Sequence, residues 1–288
     1  MITVLGKKTI VSRDPFPHVV IANAVDNSVV ERLIAEFPSP EVIIDGRSIG
    51  ADAVPIESGN VRFSYHAGKA LQNPRISEFW KDFVRAHISQ HFLGEILDLF
   101  KDDIRERFPR LEERHGKIES WKAGVRGVDE NADVLLEAQI SINTPSKGGR
   151  RVRGVHIDKP DKLFAGLFYL RHPDDDSKGG NLELYRWKGK RVFWDKQWTE
   201  FRYVERVGEV PYRSNTLVLF LNSPDSLHGV TVREKTDFPR LFLNLDGEMR
   251  YEGKKEYFFS TGEFRETFTQ KVRRKLKERV RGRTVYFS

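Results

Sequence analysis

The chain has 288 residues and no cysteine, which excludes a disulfide framework, thiolate zinc sites, iron–sulfur clusters and a cysteine nucleophile. Hydrophobic residues make up 39%, with 20 Phe, 8 Tyr and 5 Trp, so this is not a disordered chain. The formal charge of +7 belongs to the end of the sequence: from Phe264 onward nine Lys and Arg face only Glu266 and Glu278, which leaves the body neutral.

The opening MITVLGKKTIVSRD lacks the apolar run of a signal peptide. The longest apolar stretches, such as Leu217–Leu221, are too short to cross a bilayer, so a cytoplasmic protein is the expectation. Residues 14–24 read as an entry turn and a short strand, because Pro15 and Pro17 bar a helix. Ser28 and Glu31 have the spacing of a capping box, and Val29, Val30, Leu33, Ile34 and Phe37 then share a helical face that ends at Pro38 and Pro40. Residues 44–62 are rich in Gly and polar residues and read as a loop. From Ser77 to Phe108 the apolar spacing is helical again, with Gly94 as a candidate break.

After residue 133 the period changes to short runs of Val, Ile, Phe, Tyr and Leu between turn residues, which is a strand signature. Strands are expected near 134–142, 152–157, 163–170, 181–187, 202–210, 215–221, 228–233 and 240–246. Short strands with no helical pattern between them argue for an antiparallel sandwich or barrel, and helices followed by an all-β half make one α+β unit.

His156-Ile157-Asp158 closes one of these strands. Side chains two apart share a face there, so imidazole and carboxylate can converge. His228 follows a later strand and the turn Asn222-Ser223-Pro224-Asp225. Two histidines and one carboxylate form a facial triad that leaves adjacent positions of an octahedral iron(II) open to a bidentate oxoacid and to dioxygen. Arg240 heads the apolar run Leu241-Phe242-Leu243-Asn244-Leu245; an arginine there is costly to bury unless it meets an anion, and its planar fork suits a carboxylate.

These pieces resemble the catalytic core of the 2-oxoglutarate/iron(II) oxygenase superfamily, in its prolyl-4-hydroxylase-like branch. The similar segments are HID at 156–158, LFAGLFYL at 163–170, GGNLELY at 179–185, NTLVLFLNSPDSLHGV at 215–230 and RLFLNLDGE at 240–248, with PFPHVVI at 15–21 as a lead-in. The resemblance implies a double-stranded β-helix, or jelly roll, buttressed by N-terminal helices. A single domain over 1–262 would hold helical support to about 130 and the core to about 250, followed by a basic helix over 263–288. It implies His156, Asp158 and His228 as iron ligands and Arg240 as the anchor of the distal carboxylate of 2-oxoglutarate. Tyr169 matches a tyrosine that shares this carboxylate, and Asn143 falls near a further co-substrate contact. Arg233 is the lesser candidate for the anchor, since it precedes a polar turn. Fe(2+), 2-oxoglutarate and O2, with ascorbate as an accessory reductant, are the implied cofactors. The implied reaction is hydroxylation of a C–H bond in a small molecule, sugar or peptidyl residue, with release of succinate and carbon dioxide. Asp158 argues against a halogenase, which places a small residue there.

Other features have competing readings. His87 and His91 stand one turn apart on a helix, yet HISQH is not HExxH, and a solvated helix edge is the plainer account. His18, His66, His115 and His172 are isolated. Gly179-Gly180 fits a tight turn, with no phosphate-loop pattern around it. Trp187, Trp194, Trp198 and Tyr203 flank the cations Lys188, Lys190, Arg191 and Lys196; this insert either packs on the body or selects substrate. Phe264, Phe268, Val272, Leu276 and Val280 stripe the basic tail, which either docks by that stripe or lies on an anionic surface or nucleic acid. The alternative function is therefore a nucleic-acid-associated protein, as an oxidative demethylase or a binding module.

Overall fold

The computed structural model describes residues 2–6, 9–45, 59–129, 131–149, 151–193 and 197–250. The basic tail, Trp194 and Lys196 lie outside them. The expected entry strand forms as β1 (His18–Ala22). Helix α1 (Asn27–Ala35) follows, with Asp26 at its N-cap and no side-chain cap bond, so the capping box expected at Ser28 is not used. Pro40 does not merely end a helix: it opens the short α2 (Pro40–Asp45), where its missing N–H costs nothing.

The long helical region divides into α4 (Glu78–His87) and α5 (Gln90–Arg107), after a short α3 (Ala67–Gln72). The break falls at Ile88-Ser89 rather than at Gly94, because the Ser89 hydroxyl accepts the Phe92 N–H and starts a new helix. Helix α6 (Arg110–His115) completes the layer. Trp80 is fully buried and donates its indole N–H to the Leu33 carbonyl at 3.0 Å, which locks α4 against α1.

The strands beyond β1 are β2 (Arg62–Tyr65), β3 (Ala123–Val125), β4 (Val134–Asn143), β5 (Lys162–Tyr169), β6 (Leu182–Trp187), β7 (Val204–Val210), β8 (Thr216–Leu221), β9 (His228–Val230) and β10 (Arg240–Met249). β2 and β3 arise in stretches where no strand is expected, and both add to β4. The larger sheet runs β1-β8-β5-β10-β4-β2, and the smaller β7-β6-β9. The strand expected over 152–157 reduces to bridges at His156, which pairs with His228 and Trp198 and so extends the smaller sheet beyond β9.

The chain thus passes from β4 to the His156 segment, back to β5, across to β6 and β7, back to β8, across to β9 and home to β10. This is the winding of a jelly roll. β4 and β10 pair over their whole lengths, with Arg240 opposite Asn143 and Asp246 opposite Glu137. One face of the larger sheet carries Ile140, Ile142, Phe164, Phe168, Leu217, Leu219, Leu243 and Leu245 and packs on the helices. Phe83 of α4 meets Phe168 at 5.9 Å between ring centroids, and Phe92 of α5 meets Phe164 at 6.5 Å. The other face looks toward the smaller sheet. It is apolar around Phe220, Val218 and Phe242, and polar along β4 and β10, where Gln139, Ser141, Asn143, Arg240, Asn244 and Asp246 are all buried.

Candidate metal centre and carboxylate pocket

Buried polar side chains cost free energy unless something satisfies them, so each group on this inner face needs a partner. His156 and His228 hold each other through paired backbone hydrogen bonds of 2.9 Å, which fixes their rings side by side at 4.2 Å between centroids. Each ring has its Nδ1 against the carbonyl two residues earlier: Gly154 at 2.7 Å for His156 and Ser226 at 2.9 Å for His228. A carbonyl only accepts, so Nδ1 carries the proton and Nε2 of each neutral ring presents a lone pair. Burial holds both imidazoles below their ordinary pKa and so keeps that lone pair available; the charge of Arg153 adds to this at His156.

Asp158 completes the set. One ligand atom from each of His156, Asp158 and His228 lies within 4.8 Å of the others, and all three residues are buried. Among the described residues this is the one such gathering. Nε2 of His156 is buried without a hydrogen-bond partner there, so its lone pair is available to a cation. Burial alone would push the Asp158 carboxyl up, but the cations around it, Lys162 foremost, hold it well below the ordinary carboxylate range. Lys162 Nζ lies 3.4 Å from one Asp158 oxygen, and Arg153 Nη1 lies 3.3 Å from the other. Lys162 is itself tied to Asp246 at 2.6 Å. The donor set of two neutral imidazoles and one ionised carboxylate fits iron(II).

A second unsatisfied group sits apart from this one. Arg240 is 2% exposed, and its Nε and Nη2 are buried with no partner among the described residues. Its guanidinium covers the Tyr169 ring at 4.8 Å and the Tyr212 ring at 4.9 Å. The Tyr169 hydroxyl and both side-chain polar atoms of Asn143 are likewise buried and unpartnered there. Burial raises the Tyr169 phenol above its usual pKa, which keeps it a donor. A guanidinium, a phenol O–H and an amide, all waiting, are donors suited to one carboxylate. Arg233 is as deeply buried, but its Nη2 meets Asp175 at 2.7 Å and its Nε meets the Ser177 hydroxyl at 3.1 Å. Gly180, at a φ of +72°, lies against both arginines: a Cβ there would come within 3.4 Å of Arg233 and 3.5 Å of Arg240. Its neighbour Gly179 would drive a Cβ to 1.9 Å from the Val232 carbonyl, so Gly179-Gly180 is a tight turn required by packing.

The remaining candidates fall into place. His87 is fully buried, not a solvated edge: its Nδ1 meets the Phe83 carbonyl at 2.7 Å and its Nε2 accepts the Val4 N–H at 3.0 Å. His91 is exposed, 3.7 Å from Glu95, so the pair holds no metal. His18 meets the Phe16 carbonyl, His66 meets Glu137 and His115 meets Asp133, and His172 stacks on Phe238. In the aromatic insert Trp187 packs on Phe193, whereas Trp198 lies 5.2 Å from the His156 ring with the Arg153 guanidinium over it. Arg62, Arg153, Lys162 and Asp246 were not among the expected site residues. The alternation Glu137-Ala-Gln139-Ile-Ser141-Ile-Asn143 and Arg240-Leu-Phe242-Leu-Asn244-Leu-Asp246 is the signal that marks such a buried polar face.

No family model matches the chain, and no curated protein does. The structure is similar to a prolyl-4-hydroxylase of Pseudomonas putida, with 14% identity, 81% of this chain and 93% of that one covered, and a TM-score of 0.42. It is also similar to the non-heme alpha-ketoglutarate-dependent epimerase SnoN from nogalamycin biosynthesis, with 13% identity, 81% and 76% covered, and a TM-score of 0.46. The carbocyclase SnoK from the same biosynthesis matches with 15% identity, 81% and 79% covered, and a TM-score of 0.45.

Proposed function

We propose that this chain is an iron(II)- and 2-oxoglutarate-dependent oxygenase that hydroxylates a C–H bond of a small molecule, sugar or peptidyl residue. The observation that supports it most is the pairing of two separate unsatisfied groups on one buried face. His156, Asp158 and His228 would hold the metal. Arg240, Tyr169 and Asn143 would receive the distal carboxylate of 2-oxoglutarate. Iron(II) held there would supply the redox chemistry that couples oxygen to breakdown of the oxoacid into succinate and carbon dioxide.

The protein's own part is positional and electrostatic. The two Nδ1–H bonds set the tautomer and aim both Nε2 atoms. Lys162 and Arg153 keep Asp158 ionised. The surrounding apolar walls, Phe220 against His228 at 4.7 Å and Trp198 against His156, limit water at the centre. The rival reading, a nucleic-acid-associated protein, draws on the basic tail and finds no support in the described residues. Among these residues no helix is long and apolar enough to cross a membrane.

The direct test is anaerobic titration of the chain with iron(II) and 2-oxoglutarate. A metal-to-ligand charge-transfer band is expected in the wild type and none in His156→Ala. Succinate release against a metabolite and peptide panel, with His156→Ala as the blank, then reads turnover. A variant that still turns over would remove His156 from the ligand set.

A further inference from the structure

The inner face carries one cation that the proposed reaction does not employ. Arg62 of β2 is half-buried, and its backbone lies opposite Asn143, the same residue that faces Arg240 from the other side. Arg62, Asn143 and Arg240 therefore stand in one row across three strands, on one face. The Arg62 guanidinium lies 5.1 Å from the centroid of the Phe242 ring, which Arg240 also covers at 5.1 Å. Its Nε–H reaches the Ser64 hydroxyl at 3.4 Å, a long contact, and that hydroxyl already accepts from Ser141. Among the described residues no carboxylate lies within ion-pair distance of it.

The neighbouring cations are accounted for. Arg153 pairs with Asp158, and Lys162 with both Asp158 and Asp246. Arg240 has Tyr169 and Asn143 beside it as fellow donors for one carboxylate. Of these four cations, Arg153 and Lys162 share the two carboxylates and Arg240 has its own donor group, so Arg62 is left over. Burial pulls its guanidinium down to about 10, with Asp246 lending support only from a distance. A cation in so desolvated a place costs free energy that an arriving anion would return. Unlike Arg240, it is partly exposed, so an anion can reach it from solution.

We propose that Arg62 binds a carboxylate of the molecule to be oxidised, so that the substrate class is a carboxylic acid. This rests on the oxygenase reading and adds the substrate class to it. Arg62 is then a specificity-determining residue beside the centre, and Arg240 serves the co-substrate alone.

The test uses the full chain, loaded with iron(II) and held without oxygen. The probes are 2-oxoglutarate by itself, and then a panel of small carboxylic acids, each paired with its primary amide, titrated into the loaded complex by calorimetry. The wild type is expected to bind acids in preference to amides. Arg62→Gln should bind 2-oxoglutarate as before while its acid affinity falls about tenfold or more, and Arg62→Lys should recover part of the loss. Equal binding of acids and amides by the wild type, or no binding of either, overturns the proposal. So does unchanged acid affinity in Arg62→Gln, alone or with a lowered melting temperature, since that marks a purely structural guanidinium. A parallel fall in 2-oxoglutarate affinity moves Arg62 to the co-substrate and overturns it as well. If the wild type shows no charge-transfer band with 2-oxoglutarate, the oxygenase reading itself fails and this inference falls with it. A normal band without acid preference sinks only the present proposal.

Discussion

Arg233 and Arg240 lie on either side of one turn, both nearly inaccessible and both over the Tyr212 ring, at 5.6 Å and 4.9 Å. Their partners separate them. Arg233 has Asp175, whereas Arg240 has only groups that themselves lack partners. Replacing Arg240 by Ala should therefore weaken 2-oxoglutarate binding by about a hundredfold or more, the usual consequence of removing one partner from a buried charge pair. Anaerobic titration reads it, and an unchanged affinity would transfer the role elsewhere. Arg233→Ala should act on stability instead. Asp175 would lose its main counter-ion, yet Arg171 stays 3.3 Å away, so the loss is about 2–3 kcal/mol rather than that of a fully stranded charge. Urea unfolding measures this, with 2-oxoglutarate affinity unchanged in the folded protein. In the sequence alone Arg240 is preferred because it heads an apolar run. The partner that occupies Arg233 comes from the 175–177 loop, and no spacing rule connects that loop to position 233.

At the scale of elements, α5 shows how small terms settle boundaries. A glycine inside a helix costs under about 1 kcal/mol relative to alanine, which long flanking turns absorb. A helix start leaves backbone amide N–H groups without an acceptor, and the Ser89 hydroxyl accepts one of them, from Phe92, where α5 begins. A Cβ on Gly94 would meet nothing within 4 Å. Gly94→Ala should stabilise the protein by about 0.5–1 kcal/mol, and Ser89→Ala should cost about 1 kcal/mol. Both are read from urea midpoints at constant slope, and a destabilised Gly94→Ala would contradict the open space described. The strands were legible wherever one face met the helices and the other met the smaller sheet, as in β5 and β8. β2 was not, because Arg62-Phe63-Ser64-Tyr65 is short and follows a polar stretch, and it owes its strand form to the edge of β4.

For the whole molecule, α4, α5 and the N-terminal segment are tied together by His87, which lies between Phe83 and Phe92 with ring distances of 4.5 Å and 5.0 Å and holds that segment at Val4. Burial draws its pKa down to about 4. The unfolded chain, with an ordinary imidazole near pH 6.5, then binds a proton that the folded chain refuses. Stability is therefore full above about pH 6.5 and declines as the pH falls toward 4, by about 3 kcal/mol from this group. His156 and His228, also held neutral, act in the same direction in the metal-free protein. The contribution of His87 is isolated by comparing His87→Gln with the wild type at pH 7 and pH 5; a variant with the same pH slope would show that the buried imidazole is not its source.

By itself the sequence determined the order of helices then strands, the turn at Gly179-Gly180, and the three side chains His156, Asp158 and His228 as a chemical set. Each depends on local properties: period, backbone freedom, and the identity of donor atoms. Tertiary structure alone decided which polar groups are left without partners. Arg62, Asn143 and Arg240 come from strands far apart in the chain, and they share a row because β2 and β10 flank β4. Burial and pairing are properties of neighbours in space, so the difference between a paired arginine and a waiting one is absent from any linear pattern.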